Sequence, residues 1–428
     1  MPPQFLLATT APQASAPPRT TPVPRRAEPE HRAALDRLHG LTGLYWLGCA
    51  VFALLLALTT TLATHRIWGL CAALGYGAAA GLARRAPRTG ERPATFASLA
   101  GAVVLPLLVL IAVGAAQSEV HVVEHSGSLL LHSGSPYPPH PTEVGDYNPY
   151  LPGMALFGLP HALLGATPLA DARLWFAAVF LVSMVTAARS TASAGERPAR
   201  SADTALLLAA FPAVALPLAV GGVDLPVIGL MCLGLATAGR GGSGTAAGLA
   251  MGAAAALKWT AWPLLPAGLV LLAVTAGRKP AIRAALVSAL IAVLAVVPAA
   301  LANPAAFIQH VVLFPLGQGA VRSPASSPLP GHLLATYVPG GHALAIAALA
   351  VAALAIGVSL VVRPPRTVLA AADRLALGLG LAMCLIPATR FGYLVYPLVL
   401  AVWFRRALMR PNECSLHGGC DHHSAQAG

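Results

Sequence analysis

Four carboxylates, Glu119, Glu124, Glu143 and Asp146, lie close together in residues 118–160, a polar stretch in a chain that is otherwise almost continuous hydrocarbon. The same stretch carries His121, His125, His132, His140, Tyr137, Tyr147 and Tyr150. A carboxylate placed beside a hydroxyl can take its proton as a general base. Three cations stand elsewhere: Lys258 in AALKWTAWPLLP, Arg390 in IPATRFGYLVYP, and Arg322 in PLGQGAVRSPASSPLPGHLL, a segment that also holds His332. Asp224 sits in GGVDLPVIG. A charge deep in a bilayer costs roughly 2.5–3.5 kcal/mol on insertion scales, so ionisable groups in apolar surroundings need a reason. Taken singly, Lys258, Arg390 and Asp224 are explained by snorkelling to the headgroups. Taken together they fit a different chemistry, because Arg forks and Lys point charges hold phosphate while a facing carboxylate activates a nucleophile. The combination suits transfer of a group away from a phosphate.

The elements that must position these groups are membrane helices. Of 428 residues, 57% are hydrophobic and 10% charged, against about 25% charged in an average soluble domain. Apolar runs near 41–64, 66–83, 97–117, 171–188, 204–219, 225–239, 243–257, 260–276, 284–302, 342–362, 373–388 and 390–404 predict about twelve spans, several of them shorter than the ~20 residues of a straight crossing. Without water at that depth each span must satisfy its own backbone, and no alternating barrel pattern is present, so the fold class is an all-α polytopic bundle. Residues 150–169 are apolar but broken by Pro152, Gly153, Gly158, Pro160, Gly165 and Pro168, which predicts a re-entrant or interfacial segment. The regions 118–170 and 303–341 are far longer than a connection needs.

Residues 1–40 are rich in Pro, Ala and Arg and lack a signal-peptide core, which predicts a disordered tail. Two additional helices and a basic loop fill 41–96, the main helical core 97–405, and a second tail 406–428. The N-terminal tail carries five arginines, which places it in the cytoplasm. From there, 22 of the 27 Lys and Arg fall on the internal side, and both long loops fall outside. The net charge of +12 is then a topology signal, not a nucleic-acid-binding surface. Both termini are expected in the cytoplasm of a multi-pass plasma-membrane protein.

Two patterns mislead. Gly239, Gly241 and Gly244 match G-x-G-x-x-G but join two apolar helices, where the dinucleotide motif needs a strand and a βαβ unit. Cys414, His417, Cys420, His422 and His423 have metal-ligand types without a zinc-module spacing, and His121 with His125 makes only two ligands of a tetrahedral site, so no metal is expected.

The order of motifs resembles a known group. An apolar span (97–117), an acid at the start of the first large outer loop (Glu119), a short helical stretch (120–132), the turn Gly134-Ser135-Pro136-Tyr137 and the helix approach Tyr147-Asn148-Pro149-Tyr150-Leu151-Pro152 resemble the C-type superfamily of membrane glycosyltransferases. ALKWTAWPLLP and TRFGYLVYPLVLAVW are similar to the family-87 branch, the actinobacterial polyprenol-phosphate-mannose-dependent mannosyltransferases. The likeness spans about 97–405. It implies transfer of a hexose, mannose above all, from a polyprenyl-phosphate donor to an acceptor hydroxyl of a glycolipid, polysaccharide or protein on the outer face, with no cofactor beyond that lipid-linked sugar. It also implies a base in Glu119, Asp146 or Glu124, a phosphate site in Lys258, Arg322 and Arg390, and a substrate lining of Tyr137, Tyr147, Tyr150, His332 and Asp224. Glu119 stands where the superfamily has aspartate. The rival readings are a transporter or lipid flippase, whose charges would sit at the midplane of two repeats, and an inactive scaffold that kept the fold.

Overall fold

The structure is a computed structural model that describes residues 27–85, 91–192, 198–321 and 324–408. Arg322 and the Cys/His tail, both singled out in the sequence, lie outside these residues. The chain runs through α1 (Ala27–Thr59), α2 (Ala63–Arg85), α3 (Glu91–Leu99), α4 (Leu105–Ala112), α5 (Ser118–Ser133), α6 (Leu159–Leu164), α7 (Ala172–Thr191), α8 (Pro198–Ala209) and α9 (Pro212–Val220). It continues through α10 (Asp224–Gly239), α11 (Gly244–Leu257), α12 (Leu264–Ala276), α13 (Arg278–Ala302), α14 (Pro304–Phe307), α15 (Pro330–Tyr337), α16 (Gly341–Val362), α17 (Val368–Leu385) and α18 (Val395–Leu408). A π-helical turn, Ala100–Val104, joins α3 to α4 into one run, so the boundary expected at 96/97 falls inside a continuous helix.

The bundle is helical, as the composition demands, but the span count differs from about twelve. Among the described residues seven helices are long and apolar enough to cross a membrane, or eight if α8 and α9, bent by 77° at Phe211, are one broken span. The difference lies in short apolar helices such as α10, α11 and the run from Phe391, which have 10–17 residues. Residues 27–40 also differ from expectation: they are helical and continue into the first span. AEPEHRAALDRL is rich in good helix formers, and a formed span supplies the nucleus that a free segment lacks.

Three apolar clusters organise the molecule. The largest gathers α5, α7, α10–α12, α17 and α18 around buried Phe176, Phe180, Met231, Tyr396 and Trp403. A second packs α1–α4 with the end of α8 and α9 around Trp46, Trp68 and Tyr76; there Gly75 and Gly101 let α2 and the π turn touch backbone to backbone. The third pins the loop residues Tyr137 and Leu151 on Ala299, Ala306 and Val311. On α13 and α16, by contrast, Leu290, Leu294, Leu354 and Val361 are exposed, the lipid-facing pattern of a membrane bundle.

Candidate active site

Backbone geometry accounts for each ionisable group. α5 starts at Ser118 after Gln117, whose N–H donates to the Val220 carbonyl at the end of α9 (3.0 Å). Glu119 therefore sits in a first helical turn, where the dipole favours a negative charge. At the other end Gly134, with φ of 72°, turns the chain out of the helix. Gly222, with φ of 77°, makes the bend that leads into α10 and its first residue, Asp224. α10 and α11 have 16 and 14 residues and pack as a hairpin. Nearly equal arms return the end of α11 to the start of α10, which brings Lys258 to Asp224.

Arg390 is held by a different device. Ser326 and Thr389 form an isolated parallel bridge, with Ser327 N donating to the Thr389 carbonyl (2.9 Å) and Thr389 N to that of Ala325 (2.9 Å). Thr389 Oγ1 donates to the Met383 carbonyl (2.7 Å), and Phe391 N to Ser327 Oγ (3.1 Å). This clamp ties the 324–329 segment to the end of α17 and fixes the backbone on both sides of Arg390.

The charges meet as two ion pairs. Arg390 Nη1 donates to Glu119 Oε1. Lys258 Nζ donates to Asp224 Oδ1 at 2.5 Å, and the Tyr396 hydroxyl donates to the same oxygen at 2.7 Å while accepting from Thr260 Oγ1 at 3.0 Å. The Lys258 ammonium also lies over the rings of Tyr393 (5.0 Å) and Tyr150 (5.4 Å), a cation–π arrangement. A cavity of about 1460 Å³ opens beside these pairs. Glu119, Asp224, Arg390, Tyr393, Ser326 and Ser327 form its polar wall, and Leu56, Leu62, Leu216, Leu394 and Leu398 its apolar one. Lys258 is not on the wall; it lies behind Asp224.

The other expected site residues are engaged in structure. Asp146 lies in the loop after α5, away from the cavity wall, and its Oδ2 accepts from Thr142 N (2.8 Å), Glu143 N (2.9 Å) and Thr142 Oγ1 (3.2 Å). Those donors, the Glu143 N–H first, hold its carboxyl below the usual range. Glu124 is buried and accepts from Ala172 N at the start of α7 (3.1 Å). Tyr137 is buried, donates to the Tyr150 carbonyl (2.9 Å) and stacks on His310; burial pushes its phenol up. Tyr147 stacks on Phe314 at 4.2 Å, Tyr150 lies buried beneath Lys258, and His332 bonds the Pro387 carbonyl. Of the expected cations, Arg390 lines the cavity paired with Glu119 and Lys258 pairs with Asp224 off its wall; Arg322 is outside the described residues.

Sequence reasoning missed four contributors. Tyr393 and Tyr396 lie within the quoted Arg390 motif, and their three-residue spacing was the available signal. His310, fully buried, accepts from Asn148 N (3.1 Å) and bonds the Pro138 carbonyl (2.8 Å), which locks the loop after α5. In the bidentate Arg173–Asp171 pair Arg173 is buried, and it donates further to the carbonyls of Ala115 and Ala219, joining the start of α7 to the ends of α4 and α9.

A helical bundle with apolar spans and two carboxylate–cation pairs at a large, half-apolar cavity defines a class, integral-membrane proteins with an ionisable site. The model of glycosyltransferase family 87 matches residues 148–387, more than half of the chain, and the chain belongs to that family. It is a membrane glycosyltransferase. The match contains Asp224, Lys258 and Tyr150, begins after Glu119 and ends before Arg390. No match occurs among curated proteins or solved structures.

Proposed function

We propose that the protein moves a hexose, mannose in the first instance, from a polyprenyl phosphate to an acceptor hydroxyl, with Glu119 as the general base. The observation that carries this reading is the Glu119–Arg390 pair on the wall of the 1460 Å³ cavity. Ligand pockets of drug size run to about 1,000 Å³, so there is room for a sugar phosphate and the first isoprene units together. The apolar side, with Leu56, Leu62 and Leu216, suits the prenyl chain. The polar side suits the sugar and phosphate.

In this mechanism the donor phosphate takes Arg390, which frees the Glu119 carboxylate. The acceptor hydroxyl gives its proton to Glu119 as its oxygen forms a bond to the anomeric carbon. The bond from that carbon to the phosphate oxygen breaks, and its electron pair stays on the phosphate, where Arg390 stabilises the growing charge. The bilayer is the working environment: a multi-pass plasma-membrane protein with both termini cytoplasmic and this cavity on the outer side.

The test is transfer of labelled mannose from polyprenyl phosphate mannose by membranes carrying wild type, Glu119→Gln or Asp146→Asn. Glu119→Gln is expected to lower turnover by ~10²–10⁴, the usual worth of a general base, and Asp146→Asn to leave it within about twofold, since that carboxylate binds its own turn. Wild-type turnover in Glu119→Gln removes Glu119 as base. Absence of transfer by the wild type, with each acceptor class supplied, favours a scaffold that kept the fold.

A further inference from the structure

Two features of the cavity remain unexplained by a simple phosphate-binding role: its cations are already neutralised, and Lys258 is screened from it. Glu119 cancels Arg390, and Asp224 cancels Lys258. Asp224 lines the cavity while Lys258 does not. Its Oδ1 takes both the ammonium of Lys258 and the hydroxyl of Tyr396, so a carboxylate on the cavity wall is held by two partners that are themselves off it. A site built only to grip an anion would leave the ammonium facing the ligand.

We propose that Asp224, held by Tyr396, is a positioning residue that competes with the lipid phosphate for Lys258 and so drives release of the product. The inference rests on the polyprenyl-phosphate reading above. The donor is a phosphodiester with one negative charge. Breaking its bond to the sugar leaves a phosphomonoester, which carries about −1.5 to −2 at neutral pH. Two bare cations would hold that product more tightly than the donor, and turnover would stall with the lipid phosphate in place. The paired arrangement reverses the preference. During transfer the proton goes from the acceptor to Glu119, whose neutral carboxyl loosens its hold on Arg390. When that proton passes to water, Glu119 recovers Arg390, and Asp224 keeps Lys258 out of the phosphate's reach. The dianion then faces two carboxylates whose own cations are satisfied, and it leaves.

The experiment uses the purified full chain in micelles, with farnesyl phosphate as a dianionic probe and its methyl ester as a monoanionic one, and reads dissociation constants by calorimetry. Asp224→Asn is expected to bind farnesyl phosphate at least about tenfold more tightly than wild type, because one nearby repelling charge is gone and Lys258 is freed. Its affinity for the methyl ester changes less, and Asp224→Glu behaves as wild type. A merely structural role would weaken binding in Asp224→Asn, not strengthen it. Equal or weaker binding by Asp224→Asn overturns the proposal. Should that variant not fold, wild type decides alone: a preference for dianion over monoanion below about tenfold supports masking, and a larger preference overturns it. Failure of both probes to bind the wild type sinks the lipid-phosphate donor itself, whereas binding without the Asp224→Asn gain sinks only the release role.

Discussion

Residues of one chemical type divide here by what surrounds them. Glu119, Glu124, Asp146 and Asp224 are all carboxylates near the same end of the bundle, yet Glu119 and Asp224 line the cavity, while Glu124 caps α7 and Asp146 binds its own turn. Spacing along the sequence could not separate Glu119 and Asp224 from the other two, because their partners are remote: Arg390 lies 271 residues from Glu119 and Tyr396 lies 172 from Asp224. Asp146 permits a test by pH. Its carboxyl is held down chiefly by the Glu143 N–H, then by that of Thr142, so its contribution to the loop is complete above the usual carboxylate value near 3.9 and is lost as pH falls through the lowered one. Pepsin cleavage of the 138–150 loop in wild type is therefore expected to rise relative to Asp146→Asn as pH falls below about 4, where the bonded carboxylate protonates. Parallel cleavage profiles for the two proteins refute this assignment.

Among the elements, the α10–α11 hairpin was legible and its meaning was not. The apolar runs and the Gly-rich turn at 239–244 predict two helices, and arms of near-equal length place Asp224 beside Lys258. What hid the pairing was the assignment of Lys258 to a phosphate site with Arg322 and Arg390, and of Asp224 to the substrate lining. The Arg173–Asp171 pair is a second element-scale joint. Arg173 is 2% exposed and bonds carbonyls at the ends of α4 and α9. Arg173→Met removes the guanidinium from Asp171 and from both carbonyls, leaving Asp171 only its bond from the residue-173 N–H, at an expected cost of ~3–5 kcal/mol, while Asp171→Ala/Arg173→Met recovers part of it. Thermal unfolding in detergent measures both. Equal loss in the single and double variants would show that the pair is not the source.

At the scale of the whole molecule, charge gives the expected orientation, and packing gives the site. In a cysteine-free background, His140→Cys and Pro364→Cys place exposed thiols in the outer loop and in the α16–α17 connection. An impermeant maleimide added to intact cells is expected to label the first alone, with the second labelled only after permeabilisation; the reverse pattern inverts the topology. By itself the sequence determined that the chain is a helical membrane bundle, that ionisable residues gather in 118–160 and at isolated positions in apolar segments, and that the arrangement resembles a membrane glycosyltransferase. Those follow from hydropathy, from the cost of unpaired charge in lipid and from local motifs, all of which are properties of short windows. Only the tertiary structure decided which carboxylate meets which cation, that α10 and α11 are short buried arms, and that Lys258 stands behind Asp224. Such pairings depend on where helices end relative to one another, which arises from close packing between segments far apart in sequence and leaves no trace in any one of them.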